Sequence, residues 1–171
     1  VEENELTADF LLTKPVSRLQ ILSSKLVAAL SSLLTTDLVF WGASWFGIAA
    51  FNSGHAYDAG LLVRLMLSIL LFQLFFLGVG LAISLIVKRV RSVTPFSLGL
   101  GFGMYVLAAF SGVFGDVNLE LVTPFKHIDP AYIVKHNACN SPLIVLNIGI
   151  TLAALGLSYW LYLRRDIQAV S

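Results

Sequence analysis

The sequence predicts an all-α polytopic membrane protein with four transmembrane helices, and three observations carry that prediction. Four long apolar stretches, at about 26–50, 61–87, 93–115 and 142–163, fill most of the 171 residues. Each reaches the length of about 20 residues that a helix needs to cross a hydrocarbon core. The composition is 57% hydrophobic, with a mean hydropathy of +0.85. Finally, the basic residues fall between and beyond the stretches in a strongly one-sided way. Inside hydrocarbon the backbone must satisfy its own hydrogen bonds, so apolar stretches of this length read as helices.

The charges set the predicted orientation. Lys14, Arg18 and Lys25 precede the first stretch, Lys88, Arg89 and Arg91 separate the second from the third, and Arg164 and Arg165 follow the fourth. Eight of the eleven basic residues therefore share one side. The other side holds Arg64, Lys126 and Lys135, offset by Asp58, Asp116, Glu120 and Asp129. By the positive-inside rule both ends of the chain and the Lys88–Arg91 turn are cytoplasmic, in a multi-pass protein of the cell membrane. The loops at 52–60 and 116–141 then face outward. The basic residues read as interface anchors, so a net charge of +1 implies no nucleic-acid partner.

Other classes are poorly supported. Cys139 is the single cysteine, which excludes an internal disulfide and a cysteine metal cluster. No repeat, low-complexity tract or soluble domain is visible. Residues 1–25 are too polar and too long to be the leader of a signal peptide, and the chain opens on Val1 rather than Met, which suggests that an N-terminal portion precedes it. No phosphate-binding Gly-x-x-x-x-Gly-Lys-Ser/Thr loop, His-Glu-x-x-His or Gly-x-Ser-x-Gly occurs, so the chain is not expected to be an enzyme or to hold a cofactor.

Residues 1–25 form the most informative polar segment. Glu2, Glu3 and Glu5 crowd the start of a short helical pattern, where carboxylates suit the positive end of a helix dipole. Leu6 and Phe10 share one face, with Ala8 and Leu12 on another. Pro15 ends this helix, because a proline pushes the preceding residue out of the α region. A new helix starts at once: Ser17 and Gln20 have capping-box spacing, and Val16 with Ile21 fits a hydrophobic staple. Periodicity alone leaves two readings of the first helix open, one lying on the inner leaflet and one docking onto a cytoplasmic partner.

The run Glu3, Thr7, Leu11-Leu12, Lys14-Pro15-Val16-Ser17-Arg18 and Lys25 resembles a motif of ABC-2 type transporter permeases, and Tyr162–Ile167 resembles that family's exit from its last helix. The resemblance implies that these are the last four helices of a six-helix permease, with residues 1–25 as a cytoplasmic coupling segment and 26–171 as the transmembrane domain. It also implies a cytoplasmic ATP-binding cassette subunit and a second permease subunit as partners, in the lipid bilayer. Carried over, Glu3, Thr7, Phe10, Leu11 and Leu12 belong to a helix seated on the ATPase, and Pro15 and Arg18 to the corner that transmits its motion. The activity implied is ATP-driven transport by alternating access, in the export direction.

Within the membrane, Asp37 stands near the middle of the first span, where an ionisable side chain is costly and a functional candidate by default. It reads either as an aspartate bonded to Thr35, Thr36 or Gln73, or as the core of an ion- or proton-coupled carrier. A membrane scaffold without transport is a third reading of the whole chain. Gly99-Leu-Gly-Phe-Gly103 fails as a nucleotide fingerprint, having no strand before it. As a Gly-x-x-x-Gly face, Gly99 and Gly103 allow close helix packing, a dimer seam being one version. Gly78 and Gly80 add small residues near the same layer. Thr94-Pro95 suits a helix start, as does Asp129-Pro130 in the outer segment. His127, His136 and Cys139 match no metal-site spacing, so no metal is expected.

Overall fold

A computed structural model describes residues 17–52, 56–87, 93–111 and 119–164. The predicted coupling residues Glu3, Thr7, Phe10, Leu11, Leu12 and Pro15 lie outside the described residues, as does the predicted turn at Lys88–Arg91, and of Arg18 only the backbone is described. Every regular element among the described residues is helical. Four long helices are α1 (Arg18–Phe51), α2 (Ala59–Ile86), α3 (Val93–Phe110) and α6 (Ser141–Arg164). A 3-10 turn at Leu119–Leu121 and two short helices, α4 (Pro124–His127) and α5 (Pro130–His136), occupy the segment between α3 and α6.

Three of the long helices, α1, α2 and α6, are long and apolar enough to cross a membrane, and α3 is a shorter apolar helix of 18 residues. At about 1.5 Å per residue α1, with its 34 residues, is about 51 Å long. That exceeds a hydrocarbon core of about 30 Å, so α1 either tilts or extends into the interface.

Among the described residues burial differs from that of a water-soluble domain: polar side chains are buried alongside Met66, Phe75 and Ile133. The largest fully buried side chains are His127, Asn147, Thr123, Pro124 and Ser158, whereas Leu38, Val39, Phe46, Leu98, Phe102, Val145 and Leu152 point outward. In water that arrangement exposes oil and hides polar groups at a cost. In a bilayer the outward apolar face meets lipid, and the inward polar groups pair between helices. The distribution of side chains thus selects the solvent.

The central pair is α2 with α6. Gly78 lets them approach: a Cβ at this position would lie 3.2 Å from the Thr151 carbonyl oxygen and 3.6 Å from Leu155 Cγ. Thr151 and Ser158 return their hydroxyls to Asn147 and Ala154 of their own helix, at 2.8 and 2.7 Å, and so stay satisfied without water. An aromatic cluster packs between α2, α3 and α4. Phe125 of α4 meets Phe72 at 4.8 Å and Tyr105 at 5.6 Å between ring centroids, wedging the short helix between α2 and α3. Edge-to-face pairs of this kind contribute about 0.5–1.5 kcal/mol beyond burial.

Candidate functional site: the polar joints of the membrane helices

The first joint lies where α1 begins. Ser17 Oγ accepts the Gln20 N–H at 3.2 Å, and Gln20 Oε1 accepts the Ser17 N–H at 2.9 Å. This is the reciprocal box predicted from the Ser17–Gln20 spacing, and it satisfies two of the donors that a helix start leaves unpaired. From that cap α1 runs without interruption to Phe51. The segment with the predicted docking residues therefore leads directly into one continuous 34-residue helix.

Side-chain hydrogen bonds tie α1 to the bundle at two levels. Ser23 Oγ and Tyr159 OH of α6 lie 3.0 Å apart near its start. Half-way along, Gln73 Nε2 donates to Asp37 Oδ1 at 3.0 Å, linking α1 to α2. Asp37 is 4% exposed. Of its three sequence-level partners, Gln73 is the one the fold supplies; Thr35 and Thr36 donate instead to Ser31 and Ser32 carbonyls of their own helix, at 2.8 and 2.9 Å. Asp37 Oδ2 and Trp41 Nε1 are buried without a partner among the described residues.

At the opposite end a clasp joins α2 to α5. Asp58 caps α2, with Oδ1 accepting from the Gly60 and Leu61 N–H groups at 2.8 and 3.1 Å. Its Oδ2 accepts from Asn137 Nδ2 at 2.9 Å, and Arg64 donates to Asn137 Oδ1. The Leu61 amide and the Asn137 side chain hold the exposed Asp58 carboxyl below its ordinary value of 3.8. Asn137 ends α5 at φ 48°, a left-handed position that asparagine tolerates better than most residues. Asp129 caps α5 as its pairing with Pro130 predicts, accepting from Ala131 N–H at 2.9 Å.

A buried latch holds the segment between α3 and α6 inside the bundle. Thr123 Oγ1 donates to the Met104 carbonyl of α3 at 2.9 Å. His127 is 1% exposed, with Nε2 3.1 Å from the Leu121 carbonyl. A carbonyl accepts only, so Nε2 carries the proton, and Nδ1 accepts from Asn147 Nδ2 of α6 across 3.5 Å. Burial pushes the His127 pKa below its ordinary 6.5, against the pull of the Leu121 and Glu120 carbonyls.

Gly99 and Gly103 lie on the open face of α3, where a Cβ would meet nothing within 4 Å. No helix of this chain covers that face among the described residues. Phe102, Gly103 and Leu107 help line an apolar groove of about 480 Å³ there. A second, polar cavity beside Glu120, Lys126 and Cys139, in the segment between α3 and α6, has about 100 Å³. That is below the about 300 Å³ of ordinary ligand sites. Among the described residues no group of three His, Cys, Asp or Glu side chains is placed to hold a metal.

The sequence singled out Asp37, Gln73, Gly99 and Gly103, and the fold brings the first two together while leaving the glycine face outward. It passed over the latch and the clasp. Asn147, a lone amide inside an apolar span, is the signal that could have pointed to the latch. No local pattern announces the Asp58–Asn137 pair, which is 79 residues apart.

Apolar helices with polar residues turned inward and joined half-way along define a multi-pass membrane protein. The family described as ABC-2 family transporter protein matches residues 1–167, and the chain belongs to that family. No curated protein and no solved structure matches the chain. Membership makes it the membrane component of a transporter, in a family generally not catalytic itself, and implies association with an ATP-binding cassette subunit in a membrane complex.

Proposed function

We propose that this permease is the membrane half of an ATP-driven exporter that works as a dimer by alternating access. Residues 3–12 form the helix that sits on the ATP-binding subunit, with Phe10 as its aromatic anchor. Pro15 and Arg18 turn the chain into α1, and both ends of the chain are cytoplasmic. The observation that carries this reading is the capped, unbroken α1 that starts directly behind the docking segment. A rigid rod of about 51 Å delivers a displacement at its cytoplasmic end to the full membrane depth. Ser23 with Tyr159 and Asp37 with Gln73 are hydrogen bonds through which such a movement reaches the neighbouring helices.

The path for substrate runs between two copies of the permease. The open Gly99/Gly103 face of α3 and its apolar groove support this placement, since nothing else in the described chain covers them. Hydrolysis of ATP belongs to the partner subunit. Flux measured in proteoliposomes tests the proposal: transport requires the ATP-binding subunit and ATP. Transport that proceeds without ATP along a proton gradient, and stops in Asp37→Asn, supports the carrier reading instead.

A further inference from the structure

The α1–α2 seam contains two buried polar atoms that protein groups leave unmatched. Asp37 Oδ1 is bonded to Gln73, but Asp37 Oδ2 and Trp41 Nε1 are buried with no partner among the described residues. Residues four apart share one helix face, so the two atoms line the same side of α1 one turn apart. The nearby hydroxyls are committed elsewhere: Thr35, Thr36 and Ser44 each donate to a carbonyl four residues back in α1, at 2.8 to 2.9 Å.

The two orphans have complementary roles. An indole N–H only donates, and a carboxylate oxygen accepts. The group that matches both must accept from Trp41 and donate to Asp37. Beside an ionised Asp37, a halide cannot donate and a metal cation cannot accept, which excludes both. Asp37 is only 4% exposed, so whatever bonds its second oxygen is shielded from bulk solvent. We propose that this seam is a binding site for one ordered water, bridging Trp41 Nε1 and Asp37 Oδ2 at the middle of the membrane. Buried waters characteristically make about three hydrogen bonds to polar groups otherwise left unsatisfied. The water makes the Asp37–Gln73 joint adjustable: α1 can shift against α2 while the second carboxylate oxygen stays hydrogen-bonded. The site does not depend on what the permease carries.

Radiolytic hydroxyl labelling of the permease in lipid nanodiscs, read by mass spectrometry, tests the site. Radicals formed from a bound water modify the side chain beside it and are not intercepted by a scavenger in bulk solution. In the wild type Trp41 is labelled despite the scavenger, while outward-facing Phe46 and Phe102 are not. In Asp37→Leu the Trp41 labelling falls to that background, and in the lipid-facing control Leu38→Ala it persists. The wild-type arm decides the matter even if Asp37→Leu fails to fold. Trp41 left unlabelled in the wild type overturns the proposal. Scavenger-resistant labelling that survives in well-folded Asp37→Leu also overturns it, because Asp37 then does not hold the water.

Discussion

Gln73 Nε2 lies 3.0 Å from Asp37 Oδ1, and this hydrogen bond joins α1 to α2 half-way along both helices. It places the one acidic side chain of the first span against a neutral amide instead of lipid. Interhelical hydrogen bonds in membranes contribute about 0.6 kcal/mol on average and up to about 1.7. A double-mutant cycle of Asp37→Leu and Gln73→Leu, read by thermal unfolding in detergent, is expected to show a coupling in that range. Asp37→Asn keeps a polar group beside Gln73 and leaves ATP-dependent flux largely intact. Additive single-mutant losses show that the two side chains do not act as a pair.

The two sets of glycines separate packing within the chain from packing between chains. Gly78→Ala sets a Cβ 3.2 Å from the Thr151 carbonyl oxygen, so α2 and α6 must part slightly, at a cost of about 1–3 kcal/mol in unfolding measurements. Gly99→Leu and Gly103→Leu meet nothing in their own chain, and monomer stability should change by about 0.5 kcal/mol or less. If the α3 face is the dimer seam, both variants lose dimer yield on size exclusion. Wild-type dimer yield in both argues that the seam lies elsewhere.

Acidification is expected to loosen the His127 latch. His127 is neutral with a pKa held below 6.5 by burial, so the unfolded chain binds the proton more readily than the folded one. The resulting stability is fully present above the ordinary pKa of 6.5 and is lost as pH falls through the folded value. Thermal unfolding between about pH 7.5 and 5.5 should therefore show a falling midpoint in the wild type and a shallower fall in His127→Gln. Identical slopes place the acid sensitivity at another group.

Orientation is testable from either side of the membrane. In a Cys139→Ala background, Ser53→Cys and Asn118→Cys should react with an impermeant maleimide on intact cells. Reaction confined to inside-out vesicles reverses the proposed topology and moves the docking segment to the wrong side for an ATPase.

Much of this fold was legible because a bilayer imposes simple demands on a chain. Length and apolarity identified the spans, and capping chemistry located Ser17 and Asp129 as helix starts. The register between helices was not legible. Gln73 was one of three equally plausible partners for Asp37, because span periodicity does not say which faces meet. The latch was hidden for a related reason: His127 looked like a loop histidine, and only the fold carries α4 back between α2, α3 and α6. Gly78 and Gly99 were read alike as small residues, although one lies in a tight helix contact and the other faces outward.

Co-purification of the ATP-binding subunit with the Phe10→Ala variant measures the proposed docking of residues 3–12. A buried aromatic anchor of this kind typically costs about 2 kcal/mol or more when truncated, which is roughly a thirtyfold loss of affinity. The variant should insert in the membrane as the wild type does, yet retain little ATP-binding subunit through purification and show correspondingly low transport. Arg18→Glu, which reverses the charge behind the Pro15 corner, should lower substrate-stimulated ATP hydrolysis in the same assay. Undiminished subunit binding together with undiminished transport in Phe10→Ala would contradict the account and leave that helix resting on the inner leaflet.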